Sequence, residues 1–195
     1  MNFSDMHSNF NTFLFSLIND GAGYYTVLDF IFVLLTSYIM YTVFFVFAVY
    51  IGIYIPLKMP KGPLRQQSLF RAIEITAALV STFVITKIIK IAIAYPRPFE
   101  VFTDITVLAP IAGGTSFPSG HSSLTMALAT AVYFYYPRLG KLLFAFAFVV
   151  GLSRIYVGVH YPLDVGAGLL LGYIVAKGIH TLFVFVKIAP DPKKG

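Results

Sequence analysis

Apolar residues run along this chain in long blocks separated by short polar breaks. Phe10, Phe13, Leu14, Leu17 and Ile18 follow the i, i+3, i+4 spacing of an amphipathic helix. That block is too short to cross a bilayer, so a helix lying at the membrane surface and ending at Asn19-Asp20-Gly21 is expected. From Phe30 to Leu57 there is no charged residue, ample for one spanning helix at about 20 residues per crossing. Lys58 to Gln67, with Pro60, Gly62, Pro63 and three basic residues, reads as a polar connector.

A second span is predicted from about Phe70 to Tyr95, carrying Arg71, Glu74, Lys87 and Lys90, and Pro96 and Pro98 stop it. Residues 96–118, with Pro98, Pro110, Gly113 and Gly114, form a loop long enough to serve a function beyond connection. The third span starts at Ser119 and ends near Tyr136; Pro137, Arg138 and Gly140 turn the chain. The fourth occupies about Leu142 to Val159, and Pro162 opens a fifth that reaches about Val186. Glu74 and Lys177 lie about one turn inside the same edge and form a candidate pair. Gly168 and Gly172 have the spacing of close helix packing, within the monomer or alternatively in a dimer. The fold class expected is an all-α integral membrane bundle of about five transmembrane helices plus an N-terminal interfacial amphipathic helix. Residues 1–195 form one domain without internal repeats.

Composition supports a membrane location. The chain is 58% hydrophobic and 11% charged, with a mean hydropathy of +0.82; soluble domains are about a quarter charged. The net charge of +6 comes from 14 Lys and Arg scattered between apolar runs, with no basic face to lie on a duplex, so no nucleic-acid partner is expected. The absence of Cys excludes disulfides and thiolate metal sites. No cleavable signal is expected, because the first 57 residues contain no Lys or Arg. The many Phe and Tyr residues read as lipid-facing or interfacial and imply no cofactor.

Charge also sets an expected topology. Lys58, Lys61, Arg65, Arg71, Arg138, Lys141, Lys187, Lys193 and Lys194 fall at one set of helix ends, against Arg97 alone in the opposite connectors. The basic side should face the cytoplasm, which puts the C-terminus inside and the loop before His121 outside.

That topology leaves Lys90, Arg97 and Arg154 at the outer ends of helices, where charge is costly and usually functional. Pro118-Ser119-Gly120-His121 reads as a helix start: Ser119 is a good N-cap, and the free amides behind it suit an anion. An ordinary capped helix is the simpler alternative. Lys90 and Arg97 offer a point charge and a planar fork to phosphate oxygens, and Arg154 a second fork; snorkelling anchors are the alternative for the first two, and the preferred reading for Lys87. His160 and Asp164 are four apart around Pro162. That is close enough for the carboxylate to accept the Nδ1 proton and leave Nε2 as base or nucleophile, with His121 as acid.

Together, Lys90 followed after six residues by Arg97-Pro98, then Pro118-Ser119-Gly120-His121, then Ser153-Arg154 with His160 and Asp164, resemble the three motifs of the membrane phosphatidic acid phosphatase type 2 superfamily, over residues 90–164. The resemblance implies a metal-independent phosphatase without a cofactor, acting on a lipid phosphate in the membrane. By it, His160 would form a phosphohistidine, Asp164 orient its ring, and His121 protonate the leaving group. Lys90, Arg97, Ser119, the Gly120 amide and Arg154 would hold the phosphate oxygens. The size and the N-terminal segment Phe15-Ser16-Leu17-Ile18-Asn19 are similar to bacterial undecaprenyl pyrophosphate phosphatases of this superfamily, implying a bacterial cytoplasmic membrane with the site facing the periplasm or exterior. Gly120 departs from the Asp frequent in that subgroup and matches phosphatidylglycerophosphate, phosphatidic acid and lipid A phosphatases, which stand as alternative activities. A non-catalytic lipid-binding or transport protein is the alternative from another class.

Overall fold

The computed structural model describes residues 9–50, 54–59, 61–109 and 114–186. In chain order they form α1 (Asn9–Asn19), α2 (Thr26–Leu34), a π-helical turn (Leu35–Ile39), α3 (Met40–Val49), α4 (Ile55–Lys58), α5 (Pro63–Ile93), α6 (Pro98–Val101), α7 (Gly120–Tyr133), α8 (Pro137–Tyr156) and α9 (Pro162–Phe185). The architecture is all-helical, as expected. Two stretches expected to be irregular contain helix: the Lys58–Gln67 connector gives way to α5 at Pro63, and α6 interrupts the 96–118 loop. Proline at the first turn explains both, because its fixed φ and missing N–H suit that position.

Among the described residues, four helices are long and apolar enough to cross a membrane: Thr26–Phe44, Pro63–Val101, Pro137–Tyr156 and Pro162–Phe185. The expected third span, α7, has only 14 residues and is rich in Ser, Thr and Ala. It can be short and polar because α5, α8 and α9 enclose it, leaving ten of its residues buried.

Burial runs opposite to that of a soluble bundle. α5 turns Ser68, Glu74, Ile75, Ala78, Thr82 and Thr86 inward, while Ile73, Val80, Val84, Ile88 and Ile91 face outward. α9 likewise buries Gly168, Gly172 and Ala176 and exposes Leu170, Ile174, Leu182 and Phe185. Lipid tails solvate large apolar side chains as well as a core does, so small and polar residues are left to make the helix contacts. At Gly172 a Cβ would come within 2.1 Å of the Ser123 carbonyl oxygen, and at Gly168 within 2.6 Å of that of Ser119. Both glycines therefore serve packing of α9 on α7 within the chain.

α1 differs from a plain surface helix. Phe10, Phe13 and Leu17 of the apolar stripe are exposed, and Asn11, Phe15 and Asn19 form the buried face. Asn19 Nδ2 donates to the carbonyls of Thr106 and Tyr156, both at 2.8 Å, and its Oδ1 accepts from the Thr106 N–H at 3.2 Å. Asn11 Oδ1 accepts from the Leu163 N–H at 3.1 Å. α1 is thus a clasp joining the 96–118 segment to α8 and α9. The expected outward-facing aromatics include Phe30, Phe148, Tyr173 and Phe185, which are exposed, but Phe15, Tyr95, Tyr156 and Tyr161 depart from that expectation and are buried; the Tyr161 ring lies 5.7 Å from Phe15 and 5.9 Å from Tyr95.

At the opposite end, Glu74 pairs with His180 Nδ1 at 2.8 Å and accepts the Tyr135 hydroxyl, whereas Lys177 lies over the Tyr173 ring. The expected Glu74–Lys177 pair is therefore not formed: Glu74 is buried, and a buried carboxylate needs close hydrogen-bond partners. Arg71 sits over the rings of Tyr135 and Tyr136 in the same region. The basic residues near the starts of α5 and α8 thus share the end remote from Lys90. Lys187, Lys193, Lys194, Pro110 and Gly113 lie outside the described residues.

Candidate active site

Four segments meet at the ends of α5 and α8 and the starts of α7 and α9. α5 ends at Ala94, whose left-handed φ of 47° and N–H bond to the Lys90 carbonyl close the helix. The loop preceding α7 then returns: the Ser116 N–H donates to the Tyr95 carbonyl at 2.7 Å, and the Phe117–Pro118 peptide is cis. Ser119 is the N-cap of α7 as its residue type predicts, with its hydroxyl accepting from Ser122 Oγ at 3.0 Å. Its own N–H donates to the Asp164 carbonyl at 3.0 Å, tying α7 to the first turn of α9.

A cavity of about 260 Å³ opens at this junction, lined by Lys90, Arg97, Gly120, His121, Arg154 and His160. Met40, Phe83 and Leu124 form an apolar side wall. Six of the eight residues singled out from sequence thus face one space. The other two stand behind it: Ser119 and Asp164 are fully buried and do not line the cavity.

His160 is buried, and its Nδ1 lies 3.3 Å from Asp164 Oδ2, the i, i+4 contact its spacing suggested. The same oxygen accepts the Tyr161 N–H at 2.9 Å. It also accepts the hydroxyl of Ser116, which in turn sits 3.3 Å from His160 Nδ1. Ser116 was not singled out by residue pattern; its signal was its place two residues before Pro118, and only the fold shows that it touches both members of the pair. With Nδ1 engaged, Nε2 is the ring nitrogen left for chemistry. Burial, and next the positive charges of Arg154, Arg97 and Lys90, hold the His160 pKa well below the ordinary histidine value, so the ring is neutral.

Lys90 and Arg97 are fixed by backbone carbonyls. Lys90 Nζ donates to Thr115 at 2.6 Å and Ser116 at 3.0 Å; Arg97 Nε donates to Gly114 at 2.9 Å and its Nη1 to Val159 at 3.4 Å. Neutral carbonyls orient a cation without cancelling its charge, so the cavity keeps a strongly positive wall. Gly120 has open space: a Cβ there would meet only Thr86 Cγ2, at 3.9 Å. Gly158, at φ 82°, lets the chain pass under the loop, since a Cβ would lie 2.5 Å from the Thr106 carbonyl oxygen. Such a cavity can receive an anion, offer it a neutral nucleophile, and place a second imidazole, His121, on the same space.

Known proteins resemble this chain over most of its length. Over 185 residues the chain is 32% identical to the bacitracin transport permease protein BcrC of Bacillus licheniformis, covering 95% of this chain and 82% of that one. It is 36% identical over 111 residues to the undecaprenyl-diphosphatase BcrC of Bacillus subtilis, covering 57% of this chain and 55% of that one. The solved structure of Aquifex aeolicus LpxE superposes with a TM-score of 0.69 at 27% identity, covering 90% of this chain and 97% of that one. Residues 71–187 match the PAP2 superfamily, a stretch that takes in every lining residue of the cavity except Met40. The chain therefore belongs to the PAP2 superfamily, and it is a membrane phosphatase.

Proposed function

We propose that this phosphatase hydrolyses undecaprenyl pyrophosphate on the outer face of a bacterial cytoplasmic membrane through a phosphohistidine. The observation that carries the mechanism is the His160 ring, held through Nδ1 by Asp164 at 3.3 Å and lining a cavity shared with His121 and three fixed cations. In the first step His160 Nε2 attacks the terminal phosphorus in line. The P–N bond forms as the bridging P–O bond breaks, and His121, carrying a proton taken up together with the anionic substrate, gives that proton to the departing lipid phosphate. In the second step neutral His121 takes a proton from water, whose oxygen attacks phosphorus and releases the imidazole. Lys90, Arg97, Arg154 and the Gly120 amide stabilise the oxygens as charge spreads in the transition state. Ser119 acts through its cap on α7, and Asp164 stabilises the imidazole as it gains charge.

The substrate assignment is supported by the name of the Bacillus subtilis relative and by the cavity itself, whose apolar wall of Met40, Phe83 and Leu124 adjoins the polar one. A polyprenyl chain can leave along that wall while the diphosphate sits among the cations. The outward orientation is supported by the basic residues at the end of the bundle remote from the site.

The test is phosphate release by the full chain in detergent with EDTA, using undecaprenyl pyrophosphate, phosphatidylglycerophosphate and phosphatidic acid side by side. Fastest turnover on the diphosphate, lost by roughly 10³-fold or more in His160→Ala, is expected. Preference for a monoester would overturn the substrate, and full activity in His160→Ala would overturn the mechanism.

A further inference from the structure

α2 buries none of its residues, yet the same membrane helix one turn later delivers two buried side chains to the site. Thr36, within the π-helical turn, is 0% exposed, and Met40, four residues on, is 3% exposed. A π turn holds an extra residue and so shifts the register of the side chains around it; such turns are frequent at functional sites. Here Met40 forms part of the cavity wall, and Thr36 Oγ1 accepts a hydrogen bond from Arg154 Nη1. The two partners are 118 positions apart, and Thr36 lies outside the stretch matched to the superfamily.

We infer that Thr36 is a positioning residue that holds the Arg154 guanidinium with its fork toward the phosphate. The inference rests on the role proposed above for Arg154. That guanidinium is buried at the last turn of α8, and a planar fork serves a phosphate only in the right orientation. A displacement of about 1 Å in a group that contacts the transition state can cost up to about 10²-fold in rate. The π turn is the device that brings a hydroxyl to that position directly after α2, which buries none of its own residues. The first membrane helix therefore supplies part of the site, besides crossing the bilayer.

Thr36→Val keeps the shape of the side chain and removes its hydrogen-bond acceptor; Thr36→Ser keeps the acceptor and removes a methyl group. With undecaprenyl pyrophosphate as probe and rates taken per folded protein, Thr36→Val should lower kcat by about 10-fold or more with KM within about threefold. Thr36→Ser should return to within about threefold of wild type, since the hydrogen bond is retained. In an Arg154→Ala background Thr36→Val should cost less than about twofold more, because the group it orients is gone. Wild-type kcat in Thr36→Val, equal impairment in Thr36→Ser, or an undiminished penalty in the Arg154→Ala background would overturn the inference. A wild-type rate in Arg154→Ala alone would instead overturn the role of Arg154, and the inference with it.

Discussion

The Ser116 hydroxyl donates to Asp164 Oδ2 beside His160 Nδ1, so one carboxylate oxygen serves the serine, the imidazole and the Tyr161 amide at once. A carboxylate pinned in this way cannot swing away when the imidazole gains charge. Ser116→Ala removes a hydrogen bond to a charged group, a contribution of about 1.5–3 kcal/mol. The expected result is a kcat lowered about 10-fold or more with KM little changed, measured by phosphate release. A wild-type kcat would show that Asp164 needs no such support.

His160 should also shape stability against pH. Its folded pKa is depressed, so it stays neutral in the native chain while the unfolded chain takes up a proton near the ordinary histidine value of 6.5. Below that pH the unfolded state binds more protons, and stability falls by up to about 1.4 kcal/mol per pH unit for this one group; above it the contribution is constant. In detergent the unfolding midpoint of the wild type should therefore fall further between pH 7 and 5 than that of His160→Gln, by one proton's worth. An identical slope in the variant would contradict the assignment.

Close packing of α9 on α7 predicts an asymmetry between glycines. Gly172→Ala places a Cβ against backbone and should cost about 1–3 kcal/mol by overpacking. Gly166 has nothing within 4 Å of its Cβ position, and Gly166→Ala should leave the unfolding midpoint unchanged or raise it slightly. Equal effects at the two positions would show that the helices can separate freely.

Topology can be read with single cysteines, since the chain has none. Asp104 is exposed in the 96–118 segment and Lys141 is exposed at the other end. A membrane-impermeant thiol reagent added outside intact cells should label Asp104→Cys and spare Lys141→Cys. The reverse pattern would place the site on the cytoplasmic side.

Residue order alone determined the apolar blocks that become helices, because a bilayer demands uncharged runs of fixed length. It also identified Lys90, Arg97, His121, Arg154 and His160, whose residue types and spacings stand out in an apolar chain, and the local His160–Asp164 contact one helical turn apart. Tertiary structure decided which face of each helix turns inward. Hydrophobicity could not, since lipid accepts Phe10, Phe13 and Leu17 of the apolar stripe of α1 and leaves Asn11, Phe15 and Asn19, with Ile18 beside them, to make the contacts. The fold also decided the partnerships of Glu74 with His180, Ser116 with Asp164, Asn19 with Tyr156 and Thr36 with Arg154. These join residues 48 to 137 positions apart; such pairs leave no periodic mark in a sequence, and only the packing of whole helices brings them within hydrogen-bonding distance.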